Sequence, residues 1–248
     1  MRAIILAGGK GSRLRPYTTV LPKPLMPVNG QPILEIIMRQ LRYYGFTHVT
    51  VALGHLAHLV RAVLGNGDTH DLTIDYSVED VPLGTSGPLA LIPNLSGTFL
   101  VMNGDVLTNL NFLELVEFHK EQKSEVTIAS HRRKVEIDYG VLHRDDYRLV
   151  GYDEKPQIHY EVSMGIYVLN SSVLRYVKPG EYMDIPDLIR MVVNDGEQVT
   201  CFPFDDIWFD LGRIDDFHMV DQQIEELKQR IPFFHPSSIQ GCSPISAP

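Results

Sequence analysis

The stretch Arg2-Ala3-Ile4-Ile5-Leu6-Ala7-Gly8-Gly9-Lys10-Gly11-Ser12-Arg13-Leu14-Arg15-Pro16 runs an apolar segment of strand length straight into a glycine-rich turn carrying fixed positive charge. Bare backbone N–H groups, close approach and cationic side chains are what a polyphosphate needs. The spacing matches neither of the two commonest nucleotide loops. A Walker loop closes on Gly-Lys-Ser/Thr, and a dinucleotide fingerprint reads G-x-G-x-x-G with an acidic residue about 20 positions on. Here Arg13 stands where a third glycine would be. By itself the turn is also compatible with an ordinary strand-to-helix connection bearing surface arginines.

Outward from this loop the chain alternates strand and helix signals. Short apolar or β-branched runs at Arg2–Ala7, Val49–Leu53, Leu72–Val78, Thr98–Met102, Val126–Ser130, Gly165–Leu169 and Val199–Pro203 predict strands. Pro32–Tyr44 predicts a helix, with apolar residues at helical spacing, Pro at its start and Gly45 after it. His55–Leu64, Asn111–Gln122 and Asp184–Asn194 behave alike, and Arg213–Arg230 predicts a terminal helix with a stripe of Phe217, Val220, Ile224 and Leu227. Strands separated by helices imply an α/β fold with a mostly parallel sheet and ligands at the carboxyl ends of its strands. Gly140–Tyr182 is richer in strand and turn signals and predicts a small additional mixed sheet.

Composition bounds the rest. With 248 residues, 44% of them hydrophobic, the chain can bury one large core, so residues 1–230 are expected to form a single domain and 231–248 a proline-rich tail. A net charge of −9 argues against binding nucleic acid or a membrane surface through broad positive potential. No apolar run approaches membrane-spanning length and the N-terminus lacks a signal-peptide pattern, so a cytoplasmic protein is expected. Cys201 reads as core and Cys242 as tail, with no spacing for a disulfide framework or zinc. A homodimer is the commonest assembly to expect.

Three further segments carry chemistry. Glu79-Asp80-Val81-Pro82-Leu83-Gly84-Thr85-Ser86-Gly87 places two glycines where backbone could lie against a flat ring. Glu79 could accept from the adjacent ring N–H and amine of guanine, whereas uracil or thymine offers only one such donor. It could equally be a solvated strand end. Asn103-Gly104-Asp105 follows an apolar strand, and a carboxylate exposed there over a phosphate site suits Mg²⁺, which prefers one or two carboxylates plus phosphate oxygens and water. Asn-Gly-Asp is also good turn chemistry. The third segment, Asp153-Glu154-Lys155-Pro156, is a charged turn ended by proline.

The loop G-G-x-G-S-R-L-R-P, Pro22-Lys23-Pro24, the Glu79–Gly87 segment, Asn103-Gly104-Asp105, Glu154-Lys155-Pro156 and Trp208-Phe209-Asp210-Leu211-Gly212 occur in an order that resembles the sugar-1-phosphate nucleotidyltransferases over nearly all of residues 1 to 220. The extension Gly87-Pro88-Leu89-Ala90-Leu91 is most like the GDP-mannose pyrophosphorylase and heptose-1-phosphate guanylyltransferase branch. The resemblance implies a Rossmann-like three-layer α/β/α fold, similar to glycosyltransferase-A, and a reaction joining a nucleoside triphosphate to a sugar 1-phosphate with release of pyrophosphate. GTP with mannose 1-phosphate is the first expectation, a heptose 1-phosphate with GTP or a glucose or amino-sugar 1-phosphate with UTP the alternatives. It implies nucleotide contacts from Leu6, Ala7, Gly8, Gly9, Gly11, Ser12, Arg13, Lys23, Glu79, Pro82, Gly84 and Thr85. Sugar-phosphate contacts are implied for Asn103, Gly140, Glu154, Lys155, Ser163 and Gly165, and Mg²⁺ ligation for Asp105 and Asp210. Arg13, Lys23, Asp105 and Lys155 are the implied catalytic set.

One departure concerns Ser163, where the family often has Asn two residues before the Gly of Gly-Ile-Tyr. Many relatives continue into a β-helix of hexapeptide repeats, and this chain is expected to lack one. A catalytically inactive nucleotide-sugar sensor and a dinucleotide-dependent oxidoreductase are the competing classes. The intact charged residues argue against the first, and the missing glycine and acidic ribose contact against the second.

Overall fold

The computed structural model describes residues 1–234. Its strands are β1 (Arg2–Ala7), β2 (Pro27–Val28), β3 (Gln31–Pro32), β4 (His48–Leu53), β5 (Thr73–Val78), β6 (Thr98–Asn103), β7 (Val106–Thr108), β8 (Val126–Glu136), β9 (Val141–Asp145), β10 (Arg148–Asp153), β11 (Gln157–Asn170), β12 (Val199–Pro203) and β13 (Trp208–Asp210). The α-helices are α1 (Ile33–Tyr43), α2 (Ala57–Leu64), α3 (Phe112–Glu121), α4 (Ile185–Asn194), α5 (Ile214–Gln222) and α6 (Ile224–Arg230).

Seven strands form the central sheet in the order β12-β8-β11-β6-β1-β4-β5. All neighbours are parallel except around β11, which runs antiparallel to both β6 and β8. The reversal follows from connection type: β8 reaches β11 through a hairpin region, and a helix crossover is what parallel neighbours need.

Successive β1 side chains feed opposite faces of the sheet. Ala3, Ile5 and Ala7 join one core with α1, Val60 and Leu64 of α2, and Phe112 and Leu115 of α3. Ile4 joins a second core with Leu89, Phe99, Val101, Leu169 and the α4 residues Ile185, Leu188 and Val192. The three-layer α/β/α arrangement thus follows from a strand that is apolar on both faces because both faces are covered.

Three local details differ from the sequence expectation. First, β8 and β11 run well past the sheet as a two-stranded ladder from His131↔Val162 to Glu136↔Gln157, and β9 and β10 pair antiparallel at its end. The small extra sheet is therefore antiparallel, not mixed. Its residues face solvent on both sides, so no apolar alternation marks them; Tyr147 is 90% exposed. Second, the terminal helix breaks at Gln223, whose ψ of 8° interrupts it into α5 and α6, although Phe217, Val220 and Leu227 are buried as the stripe predicts. Third, Cys201 is exposed, because β12 is the sheet edge.

The core also continues past Arg230. Ile231, Phe233 and Phe234 are buried, with Phe233 packed against Tyr43 and Tyr44 at ring-centroid distances of 5.9 and 6.1 Å. Arg39, only 7% exposed, pins this segment: its Nε donates to the Phe233 carbonyl at 3.0 Å and its Nη2 to the Phe234 carbonyl at 3.2 Å. Burial pushes the Arg39 guanidinium below its ordinary range, with Glu35 opposing. Residues 235–248, including Cys242 and the rest of the expected tail, lie outside the described residues.

Replacing Phe233→Ala is expected to cost about 3–5 kcal/mol of unfolding free energy through the cavity it leaves. Urea denaturation of both proteins measures this, and a loss below about 1 kcal/mol would mean the segment packs only loosely.

Candidate active site

Parallel pairing brings four carboxyl ends to one edge of the sheet. β1 ends on Leu6-Ala7-Gly8, β4 on Leu53-Gly54, β5 on Val78-Glu79 and β6 on Asn103-Gly104-Asp105. Between them opens a cavity of about 780 Å³. Leu6, Ala7, Gly8, Gly9, Gly11, Ser12, Arg13, Lys23, Glu79, Pro82, Gly84 and Thr85 all line it, as do Asn103 and Asp105. The motifs, separated by up to 98 positions between Ala7 and Asp105, share one wall because the strands carrying them are sheet neighbours.

The glycine-rich loop is held by its own surroundings. Gly11 has φ +58°, and a Cβ there would sit 2.9 Å from the Thr18 methyl and 3.3 Å from Lys23 Cβ. The buried Thr18 hydroxyl donates to the Gly11 carbonyl at 2.8 Å, closing the turn from behind. Gly8 and Gly54 leave room for a different group: a Cβ on Gly8 would lie 2.7 Å from Glu79 Oε1, and one on Gly54 would lie 2.9 Å from the same oxygen and 2.8 Å from the Gly8 carbonyl oxygen. Two glycines thus make the slot that receives the Glu79 carboxylate.

Glu79 Oε2 accepts from the Leu83 amide at 3.0 Å. Burial pushes its carboxyl above the usual range, and that hydrogen bond pulls in the opposite direction. The following loop is locked to the segment before α4. Gly84, at φ +78°, lies so close to Met183 that a Cβ would meet its carbonyl oxygen at 2.5 Å. Asp184 Oδ1 accepts from the Thr85 amide and hydroxyl at 3.0 and 3.1 Å, and the Ser86 and Gly87 amides donate to the Met183 carbonyl at 2.9 and 3.1 Å. Asp184 and the lining residue Tyr182, whose hydroxyl donates to Asp184 Oδ2 at 2.7 Å, are not evident from sequence. The signal was an Asp before Ile-Pro, which reads simply as a helix cap.

At the other end Lys23 and Asp105 form an ion pair, their side chains 11% and 18% exposed. Lys23 engages Asp105 Oδ2, while Oδ1 is buried without a hydrogen-bond partner among the described residues. An orphaned carboxylate oxygen is costly unless a cation or donor completes it. Asp210 joins Asp105 because β13 pairs with β7, putting Asp210 opposite Val106, and the Leu211 amide donates to the Asp105 carbonyl at 3.0 Å. Partial loss of hydration pushes the Asp210 carboxyl above its ordinary range; Asp105 adds to that, while Lys23 and Arg13 oppose it. The donor set suits Mg²⁺, since two carboxylates leave the remaining positions to phosphate oxygens and water. Among the described residues no group of three or more Asp, Glu, His or Cys is gathered as a self-sufficient metal cage.

The residues expected on the sugar side are dispersed. Asn103 lines the cavity, with Gly165 behind it: at φ +74°, a Cβ on Gly165 would lie 2.6 Å from Asn103 Nδ2. Ser163 Oγ donates to the Tyr167 hydroxyl at 2.9 Å and accepts from the Gly165 amide at 3.3 Å, so its hydroxyl supports this bulge of β11. Gly140, Glu154 and Lys155 lie around the β9–β10 hairpin and line neither this cavity nor a second, smaller one beside it. There the Tyr152 hydroxyl donates to Glu154 at 2.7 Å, and the same ring fills the space a side chain on Gly140 would need.

A parallel α/β sheet with a glycine-rich cationic loop and paired carboxylates at its carboxyl edge defines a nucleotide-handling class. The chain matches the Nucleotidyl transferase family over residues 2–227 and belongs to it. It is 33% identical over 227 residues to a mannose-1-phosphate guanyltransferase of Aspergillus fumigatus, covering 88% of this chain and 62% of that protein. It is 32% identical over 238 residues to a UTP–glucose-1-phosphate uridylyltransferase of Synechocystis, covering 88% and 61%. The chain thus spans about three-fifths of the length of these curated relatives. Among solved structures, a Bacillus anthracis protein assigned as a glucose-1-phosphate thymidylyltransferase superposes with a TM-score of 0.71 at 25% identity, covering 90% of this chain and 94% of that one. HddC of Yersinia pseudotuberculosis matches in fold with a TM-score of 0.71 at 22% identity, covering 90% and 99%. No helix among the described residues is long and apolar enough to cross a membrane.

The raised Asp210 carboxyl sets the sign of a stability prediction. A carboxyl whose folded pKa lies above its unfolded value of 3.8 destabilises the fold when ionised, so that penalty is absent at low pH and appears as pH rises through the folded pKa. Asp210→Asn should therefore raise the melting temperature slightly at pH 7, the gain being small because Asp210 is solvent-facing. The difference should vanish below the ordinary aspartate range. Melting curves across pH check this, and a lower melting temperature at pH 7 would contradict it.

Proposed function

We propose that the chain is a nucleotidyltransferase that joins a nucleoside triphosphate to a sugar 1-phosphate and releases pyrophosphate, with GTP and mannose 1-phosphate as the first pair. The observation that carries this reading is the single cavity in which the glycine-rich loop, Arg13, Lys23, Asp105 and Glu79 meet. Residues through Arg230, with the few that pack after them, would form its one catalytic domain. The guanyltransferase relatives support the base, and Glu79 supplies a physical reason for it. Leu83 orients its carboxylate into the cavity wall, where it can accept from the two adjacent donors of guanine.

In this reading a phosphate oxygen of the sugar 1-phosphate attacks the α-phosphorus in line, the new P–O bond forms, and the bond to the β-phosphate oxygen breaks as pyrophosphate leaves. Two polyanions must approach, so catalysis rests on positioning and charge neutralisation. The backbone of Gly8, Gly9, Gly11 and Ser12 with Leu6 and Ala7 would cradle the triphosphate, and Arg13 and Lys23 would take the charge growing on the leaving group. Pro82, Gly84 and Thr85 would wall the base. Mg²⁺, held by Asp105 and Asp210, would neutralise phosphate charge when bound. Lys23, paired with Asp105 here, would turn toward phosphate as that charge arrives. Asn103, Ser163 and Gly165 would shape the sugar side; Gly140, Glu154 and Lys155 are assigned to the sugar phosphate on their motif.

Pyrophosphate release with Mg²⁺ across nucleoside triphosphates and sugar 1-phosphates tests the reading; no release with any pair from folded protein would refute it. Arg13→Ala should lower turnover by about 10²–10³-fold with the melting temperature unchanged. Glu79→Gln should lower kcat/KM for GTP by about tenfold or more relative to UTP, since an amide presents a donor where guanine does. An unaltered GTP/UTP ratio would remove Glu79 from base selection.

A further inference from the structure

The first cavity uses only one side of Arg13. On its other side lies a second cavity of about 380 Å³, whose lining includes Arg13, His131, Arg133, Asp210 and Arg213. Its charge inventory favours an anion. Three guanidinium groups face two carboxylates, and one of these, Asp216, already accepts from the Arg213 amide at 2.6 Å. Neither Arg13 nor Arg133 has a side-chain hydrogen bond or ion pair among the described residues.

The geometry also fixes an imidazole beside them. His131 and Arg133 are two apart on β8, so they share one face of that strand. His131 Nδ1 lies 2.9 Å from the Phe204 carbonyl, which can only accept, so Nδ1 carries a proton and Nε2 is left without a protein partner among the described residues. The imidazole packs on Trp208 with centroids 5.1 Å apart, and Trp208 is itself held by its Nε1 donating to the Met164 carbonyl at 3.1 Å. An imidazole fixed this firmly, next to unpaired guanidinium groups and one edge of the carboxylate pair, is a built site rather than a surface cluster.

We propose that this cavity is a phosphoryl-binding subsite, in which Arg133 holds phosphate oxygens of a reactant that Arg13 contacts from the other cavity, and His131 Nε2 accepts from an O–H of the same reactant. The proposal rests on the nucleotidyl-transfer reading for its ligand class. The phosphoryl group belongs to one of the two phosphorylated reactants, the sugar 1-phosphate or the diphosphate end that leaves as pyrophosphate. Arg133 is solvent-facing, so its replacement does not endanger the fold.

The full chain, Arg133→Ala, Arg133→Lys and His131→Asn are compared by steady-state kinetics in both directions. Calorimetry with pyrophosphate and with mannose 1-phosphate in Mg²⁺ reads the subsite without turnover. Loss of a charge-assisted hydrogen bond should raise one KM about tenfold or more while kcat changes far less, with Arg133→Lys recovering part of it. A rise confined to the sugar 1-phosphate assigns the subsite to that monoester. Parallel rises for the nucleoside triphosphate and pyrophosphate assign it to the diphosphate. Wild-type constants and wild-type calorimetric affinities in Arg133→Ala and His131→Asn would overturn the proposal. Absence of pyrophosphate release in the unaltered chain overturns the nucleotidyl-transfer reading instead, and the calorimetric comparison still decides the subsite.

Discussion

β1 is paired in parallel on both sides, with β4 and β6, and covered on both faces, and nearly everything else follows from that burial. A strand with no exposed face must alternate its side chains between two separate cores, so Ile4 and Ile5 help to build opposite layers. The same pairing aligns the carboxyl ends of β5, β4, β1 and β6. The chain must turn there, and the turns carry the groups that face the cavity. Glu79, Gly54, Gly8 and Asp105 become neighbours through hydrogen-bond registers such as Leu6↔Asn103 and Leu53↔Val78.

Glycine makes the closest of these approaches possible. The Glu79 carboxylate can sit against the Gly8 and Gly54 backbones because neither has a Cβ, and Gly84 lies against Met183 for the same reason. The Glu79 end of the cavity is therefore assembled from backbone surfaces and one oriented carboxylate. The opposite end is assembled from charge: Lys23 balances one oxygen of Asp105, the other has no partner among the described residues, and Asp210 is brought alongside by the short β7–β13 pairing. Partial loss of hydration, with Asp105 alongside, makes the Asp210 carboxyl resist ionisation, a cost that a bound cation would relieve.

The far side of the site has a different physical character. The β8–β11 ladder and the β9–β10 hairpin bury almost nothing, so no core fixes where Glu154, Lys155 and Gly140 stand relative to the cavity. Closer in, where β8 still belongs to the sheet, His131 is held by Phe204 and Trp208. The transition from packed sheet to bare ladder falls between His131 and Arg133, at the second cavity.

What the sequence by itself determined was contiguous: the buried β1 run, the glycine-rich turn, the helix punctuated by Pro32 and Gly45, and the carboxylate after β6. Each is written in neighbouring residues, so its period or composition is legible without the fold. The motif order added the family, and with it Asp210, which local chemistry alone would have left as a strand end. Only the tertiary structure decided the reversal of β11, the break at Gln223, the exposure of Cys201, the burial of Phe233 under Arg39, and the meeting of His131 and Arg133 with Arg13. Those depend on contacts between residues far apart in the chain, such as Arg39 with Phe233 and His131 with Phe204, which no local period encodes.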